Sequence, residues 1–170
     1  AEAFYATNKN VHFDKIYTSS LVRTVQSVHG FIKNGIPHEQ LEGLDEISWG
    51  SHEGEVFNKE MHANYLSVIQ HWKAGDFSKT VGNGETPIDV MERQKKAMEH
   101  IMSQEEENTI LIAMHGRAMR IMLSWVLNYP LNQMDVFKHH NLCLYQLFHT
   151  GSIYRVEKFS DVSHLKSLEE

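Results

Sequence analysis

The run Thr109–Met114 (TILIAM) constrains this chain more than any other stretch. It is short, almost continuously apolar and rich in β-branched residues. It is too short for a helix and too apolar for a strand with one wet face. That pattern predicts a buried strand of a parallel sheet. His115-Gly116 follows at once. Ala118, Ile121, Met122, Trp125 and Val126 then recur at helical spacing, and Pro130 bounds the segment. Strand, sharp junction, amphipathic helix is the unit from which α/β domains are built.

The rest of the chain repeats the alternation. Asp14–Thr18 reads as a strand, and Ser19 or Ser20 is placed to cap a helix carrying Leu21, Val25, Val28 and Ile32 up to Gly35 and Pro37. Residues 39–55 have no sustained period and read as a long loop. A helix is expected from Phe57, marked by Met61, Tyr65, Ile69 and Trp72. Thr86-Pro87 is a strong helix start, since Thr caps and Pro at the first helical position has no amide proton to leave open. Cys143–His149 and Ser152–Phe159 flank Thr150-Gly151, a hairpin signal. The polar tail after Ser160 is expected to be loose. The sum is a single domain over residues 1–170, three-layer α/β/α, with a mostly parallel sheet.

Charge and cysteine content narrow the partners. The net charge of −6 argues against a nucleic-acid surface, which carries a basic excess. It leaves room for a phosphorylated small molecule, because a compact site needs only a few local cations. The single cysteine, Cys143, lies in an apolar run, reads as a buried inert thiol and permits no internal disulfide. With no apolar stretch of membrane-spanning length and no signal peptide, the expectation is a cytoplasmic protein without membrane partners. The opening Ala1-Glu2-Ala3-Phe4-Tyr5 lacks a cap and reads as the middle of a helix whose start lies upstream.

Ligands of open α/β sheets bind at the carboxyl ends of strands. Two loops qualify, one carrying Ser19, Ser20 and Arg23 and the other His115 and Gly116. A histidine at a helix N-terminus can donate to an anion, and Gly116 would let that anion approach the backbone. The alternative is a histidine that caps the helix or packs in the core. Arg23 can grip two phosphate oxygens with its planar fork, or be a solvated surface arginine. Glu46 can protonate a leaving oxygen, or be an exposed loop carboxylate. No two of the twelve histidines have metal-ligand spacing on one helix face, so no metal or other cofactor is expected.

Five motifs in order then form a resemblance: IYTSSLVRTVQS (16–27), LDEISWGSHEGE (44–55), GNGETPIDVMER (82–93), ILIAMHGRAMRIML (110–123) and HNLCLYQL (140–147). Together they resemble the histidine phosphatase, or phosphoglycerate mutase-like, family from Asp14 to about Phe159. The resemblance implies a phosphohistidine mechanism. His115 matches the second histidine that holds the phosphoryl group, Arg23 an additional arginine, and Glu46 the proton donor. Gly116 follows His115, and Asn141 matches a polar residue near the site.

The nucleophile of that mechanism lies in an Arg-His-Gly motif on the first central strand, and no Arg-His-Gly occurs in these residues. The expectation is an N-terminally truncated chain whose activity requires the segment bearing that motif. The leading reading is a metal-independent phosphatase for a small phosphorylated metabolite, with a homodimer left open. The compact 54–84 segment, where substrate choice is expected to lie, favours it over a mutase. A non-catalytic phosphate-binding or scaffold protein is the reading from a different class.

Overall fold

The computed structural model describes residues 1–56 and 58–168, so the predicted helix start at Phe57 lies outside the described residues. Helix α1 (Glu2–Asn8) leads to strand β1 (Lys15–Thr18) and helix α2 (Val22–Lys33). Strand β2 (His38–Gln40) is followed by two short 3-10 turns, Glu42–Leu44 and Gly50–His52. Helices α3 (Lys59–Lys73) and α4 (Pro87–Met102) precede strand β3 (Ile110–Ala113) and helix α5 (Gly116–Val126). A 3-10 segment, Leu131–Val136, then leads to a hairpin of β4 (Leu144–His149) and β5 (Tyr154–Asp161).

Strands β2, β1 and β3 form a parallel sheet in that order, while β4 and β5 pair antiparallel in a separate sheet. Side-chain alternation along β1 sorts the helices into layers. Ile16 and Leu111 pack with Phe4 of α1 and with Val28 and Phe31 of α2 on one face. Tyr17 faces the other way, onto Ala97, Met98 and Ile101 of α4 and Met122 and Val126 of α5. Ile16 and Tyr17 are fully buried, and burying an Ile side chain is worth about 1.5–3 kcal/mol. A third cluster around Trp72 joins α3 to α4 and α5. The three layers and the parallel sheet are thus as expected.

Several local expectations are corrected. The cap position of α2 falls at Leu21, one residue beyond the serines, because Ser20 is drawn to Asp45 by two hydrogen bonds. Arg23 consequently lies in the first turn of α2. The 39–55 stretch begins with a strand, β2. In β3 only Leu111 is buried and its neighbours are half-buried, since among the described residues β3 pairs on one edge only. Cys143 is half-buried. The tail is not loose: Ser163–Leu168 is a 3-10 segment, and the buried His164 ring packs edge-on against Phe4 at 5.2 Å. Thr86 caps α4 in a reciprocal capping box with Asp89, with Pro87 at the helix start, as the sequence predicted.

Candidate active site

The register of the parallel sheet creates the site. Thr18 lies beside Ala113, so β1 and β3 end level and the residues that follow them meet. Ser19 Oγ is 2.8 Å from His115 Nε2, across 96 residues of sequence. The backbone turn into α2 then brings Arg23 over the same ring, where its Nε donates to His115 Nδ1 at 3.1 Å. His115 occupies the N-cap position of α5 but makes no capping hydrogen bond with its side chain. The helix-capping alternative is therefore excluded.

The other edge of β1 delivers the carboxylate. The Leu41 amide donates to the Thr18 carbonyl, and the chain turns through Glu42–Leu44 towards the end of the sheet. Glu46 Oε1 accepts the amide of Ala118 at 2.8 Å, and Oε2 accepts that of Arg117 at 3.2 Å. Glu46 thus supplies the α5 cap that His115 does not, at the positive end of the helix dipole. Its own following amide, Ile47, closes onto Oε1 at 3.0 Å.

The loop holding Glu46 is itself held by Arg93 of α4. Arg93 donates to the carbonyls of Gly43 and Asp45, both at 2.9 Å, and of Glu46 at 3.0 Å. It also forks onto Glu85, which takes the Ser48 amide as well. Burial alone would raise the Glu85 carboxyl, but the Arg93 and Ser48 bonds outweigh it and hold it below the usual glutamate value. Two close backbone approaches lock this loop. A Cβ on Gly84 would lie 2.0 Å from the Ser48 carbonyl, and one on Gly50 would lie 2.0 Å from that of Gly82.

Burial, then the Arg23 guanidinium, holds the His115 imidazole below the ordinary histidine value, with Arg93 adding to the effect. Glu46 and Asp45 pull it the other way. His115 is buried, while Arg23 is exposed. On the far side of α5, Arg117 Nη1 and Arg120 Nη1 share Asp135 at 2.6 and 3.3 Å, and Arg117 Nη2 reaches the Tyr65 hydroxyl. This network ties the first turn of α5 to α3 and to the Leu131–Val136 segment.

Of the residues expected from the sequence, His115, Arg23 and Glu46 converge on the first turn of α5. Gly116 lies there too, and the ring of His139 packs on it: a Cβ at Gly116 would meet that ring at 3.0 Å. Asn141 is exposed ahead of β4, and among the described residues its side chain makes no hydrogen bond. Sequence reasoning missed the positioning roles of Ser19 and Arg93 and the nearness of His139. The spacing of Glu85 and Arg93, two turns apart at the start of α4, was the available signal for one of them.

The parallel α/β/α domain thus sets a buried histidine, an arginine and a carboxylate at the carboxyl ends of its strands, the place where open α/β sheets take their ligands. The chain belongs to the histidine phosphatase superfamily (branch 1), whose sequence profile matches residues 1–162. No curated protein sequence matches the chain. Solved structures share its fold. YhfR of Bacillus stearothermophilus has a TM-score of 0.82 at 23% identity, over 96% of this chain and 82% of its own. The α-ribazole phosphatase of Shigella flexneri gives 0.79 at 15% identity, over 94% and 79%. A mycobacterial glucosyl-3-phosphoglycerate phosphatase solved with inorganic phosphate gives 0.76 at 16% identity, over 95% and 83%.

Proposed function

We propose that this domain hydrolyses the phosphate monoester of a small metabolite through a phosphohistidine, without metal. The observation that carries the reading is the Arg23–His115 contact at the first turn of α5, with Glu46 on the two following amides. Phosphoryl transfer requires placed positive charge more than covalent help, and a guanidinium and an imidazole beside a helix N-terminus provide it. In this reading Arg23 and His115 hold the phosphoryl oxygens and Glu46 protonates the leaving oxygen. The first turn of α5, opened by Gly116, borders the bound group, and Asn141 contacts the substrate from the β4 side. Neighbours named as phosphatases for α-ribazole phosphate and glucosyl-3-phosphoglycerate support a metabolite of that size.

The nucleophile is assigned to a strand bearing Arg-His-Gly that pairs with the edge of β3 left unpaired among the described residues, placing its histidine beside His115. The parent protein is proposed to be cytoplasmic, and among the described residues no helix is long and apolar enough to cross a membrane. The test compares the 170-residue chain with a protein carrying the Arg-His-Gly strand ahead of residue 1. Only the longer protein should release phosphate from an aryl phosphate, and it should do so in the presence of chelator. If the longer protein binds phosphate but releases none, the second reading holds, a non-catalytic phosphate-binding domain. That reading draws on the same Arg23–His115 contact beside the first turn of α5.

A further inference from the structure

Both ring nitrogens of His115 are already occupied, so the imidazole cannot donate to an anion as it stands. The hydrogen bonds around it fix where its proton sits. Arg23 Nε can only donate, so Nδ1, 3.1 Å away, is the unprotonated acceptor. A neutral ring then carries its proton on Nε2 and gives it to Ser19 Oγ at 2.8 Å. The rest of the chain agrees with this direction. Ser19 Oγ also accepts the Leu21 amide at 3.1 Å and lies 2.9 Å from Thr24 Oγ1, and the Thr24 hydroxyl proton goes to the Leu21 carbonyl at 2.8 Å. The serine proton is therefore left for Thr24, and one continuous sequence of donors runs from Arg23 through His115 and Ser19 to Thr24.

The two ends of this sequence differ in mobility. Ser19 and Thr24 are buried and each is held by several bonds. Arg23 is exposed, and among the described residues its two terminal nitrogens have no hydrogen-bond partner. A dianion arriving at the site can draw the Arg23 fork away, whereas it cannot dislodge Ser19. That frees Nδ1, a lone pair that repels an anion unless it takes a proton.

We propose that phosphate binding at this site is coupled to uptake of one proton by His115: Arg23 leaves Nδ1 for the phosphate, a proton from solvent bonds to Nδ1, and Ser19 is the positioning residue that accepts the Nε2 proton and so supports the doubly protonated ring. The proposal rests on the phosphate-site reading given above. In the free protein, burial and Arg23 keep the ring neutral, assisted by Arg93 of α4 and opposed by Glu46 and Asp45. His139, on Gly116, is the remaining titratable group beside the first turn of α5, and burial and Arg120 hold it neutral as well. A bound dianion reverses the balance at His115, because the charged ring then faces a negative partner at hydrogen-bond distance.

The experiment is long-range proton–nitrogen NMR on the histidines of the 170-residue chain, with inorganic phosphate as the probe at a pH where it is the dianion. Without phosphate, His115 should be neutral, with Nε2 protonated and Nδ1 showing the shift of an acceptor. Saturating phosphate should protonate both nitrogens, and the His115 titration midpoint should rise by about one unit or more, a tenfold change in proton affinity. Ser19→Ala, with its fold checked by circular dichroism, should leave Nδ1 the acceptor in the free chain, where Arg23 still donates to it, and should reduce the phosphate-induced rise of the midpoint, because Nε2–H has lost its acceptor. A ring protonated on Nδ1 in the free chain overturns the proposal. So does phosphate binding, seen in the amides of the first turn of α5, with His115 still neutral, and so does a midpoint in folded Ser19→Ala that rises as far as in the parent chain. Should that variant not fold, the wild-type spectra decide. A 170-residue chain that binds no phosphate at all removes this proposal, whereas the phosphatase reading falls only if the longer protein releases no phosphate, which separates the two failures.

Discussion

The carboxylate of Glu46 closes the first turn of α5 by accepting the amide of Ala118 at 2.8 Å, 72 residues away in sequence. The group proposed to protonate the leaving oxygen is therefore also a structural cap, and it stands beside His115 because His115 is the residue at which that helix starts. A glutamine at 46 keeps one acceptor and turns an NH2 group towards the other amide. Glu46→Gln should cost about 1 kcal/mol of stability, as lost caps do, measurable by denaturant titration. On the proposed role it should also slow esters with poor leaving groups most, because those need the proton. An equal loss on aryl and alkyl phosphates would remove Glu46 as the acid.

His115→Ala deletes the imidazole and leaves Arg23 free to reach a phosphate alone. Turnover by the protein that includes the Arg-His-Gly strand should fall by about 10²–10³, the usual loss for one donor to a transition-state oxygen. The circular dichroism spectrum should be unchanged. Turnover within a few-fold of the parent would rule out that role.

Arg93 holds the loop that aims Glu46. Arg93→Met strands the half-buried Glu85 and frees three carbonyls, and the expected loss is about 3 kcal/mol. Replacing Glu85 by Met as well should recover part of this, because the unpaired charge is then gone. A double variant as unstable as the sum of the two singles would show that the ion pair contributes no coupling.

Two glycines near the site should respond very differently to alanine. At Gly84 the added Cβ would fall 2.0 Å from a backbone oxygen of Ser48, and the neighbouring turn cannot yield without breaking the Glu85–Ser48 pairing. At Gly116 its nearest neighbours would be atoms of the His139 ring at 3.0–3.1 Å, the end of a side chain that can swing aside. Gly84→Ala should lower the melting temperature severely. Gly116→Ala should lower it little while displacing His139. Equal effects, read by thermal melting, would contradict this account of the loop.

Acid should weaken the fold through its histidines. Burial holds His115 below the ordinary histidine value of 6.5 and does the same for His38, assisted by Lys15. A histidine with a depressed folded pKa binds fewer protons in the folded than in the unfolded chain. Stability is thus unaffected well above 6.5 and is lost as pH falls through 6.5 towards the folded value. His115→Gln should flatten that part of the stability–pH curve. A slope that persists in full would assign it to other groups.

The local chemistry of the elements was legible in the chain itself. Thr86-Pro87 marked a helix start because capping and a missing amide proton are properties of adjacent residues. The apolar run before His115-Gly116 marked a strand entering a helix, and the ordered motifs marked the family. Gly35 and Pro37 ended α2 for equally local reasons. What only the folded chain decided was which nitrogen of His115 carries its proton, that Glu46 rather than His115 caps α5, that Arg93 bridges two loops, and that the tail returns to bury His164 against Phe4. Each of these joins residues dozens of positions apart. Their meeting is set by the parallel register of β1 and β3 and by side chains packing on both faces of the sheet, and neither leaves a trace in the spacing of neighbouring residues.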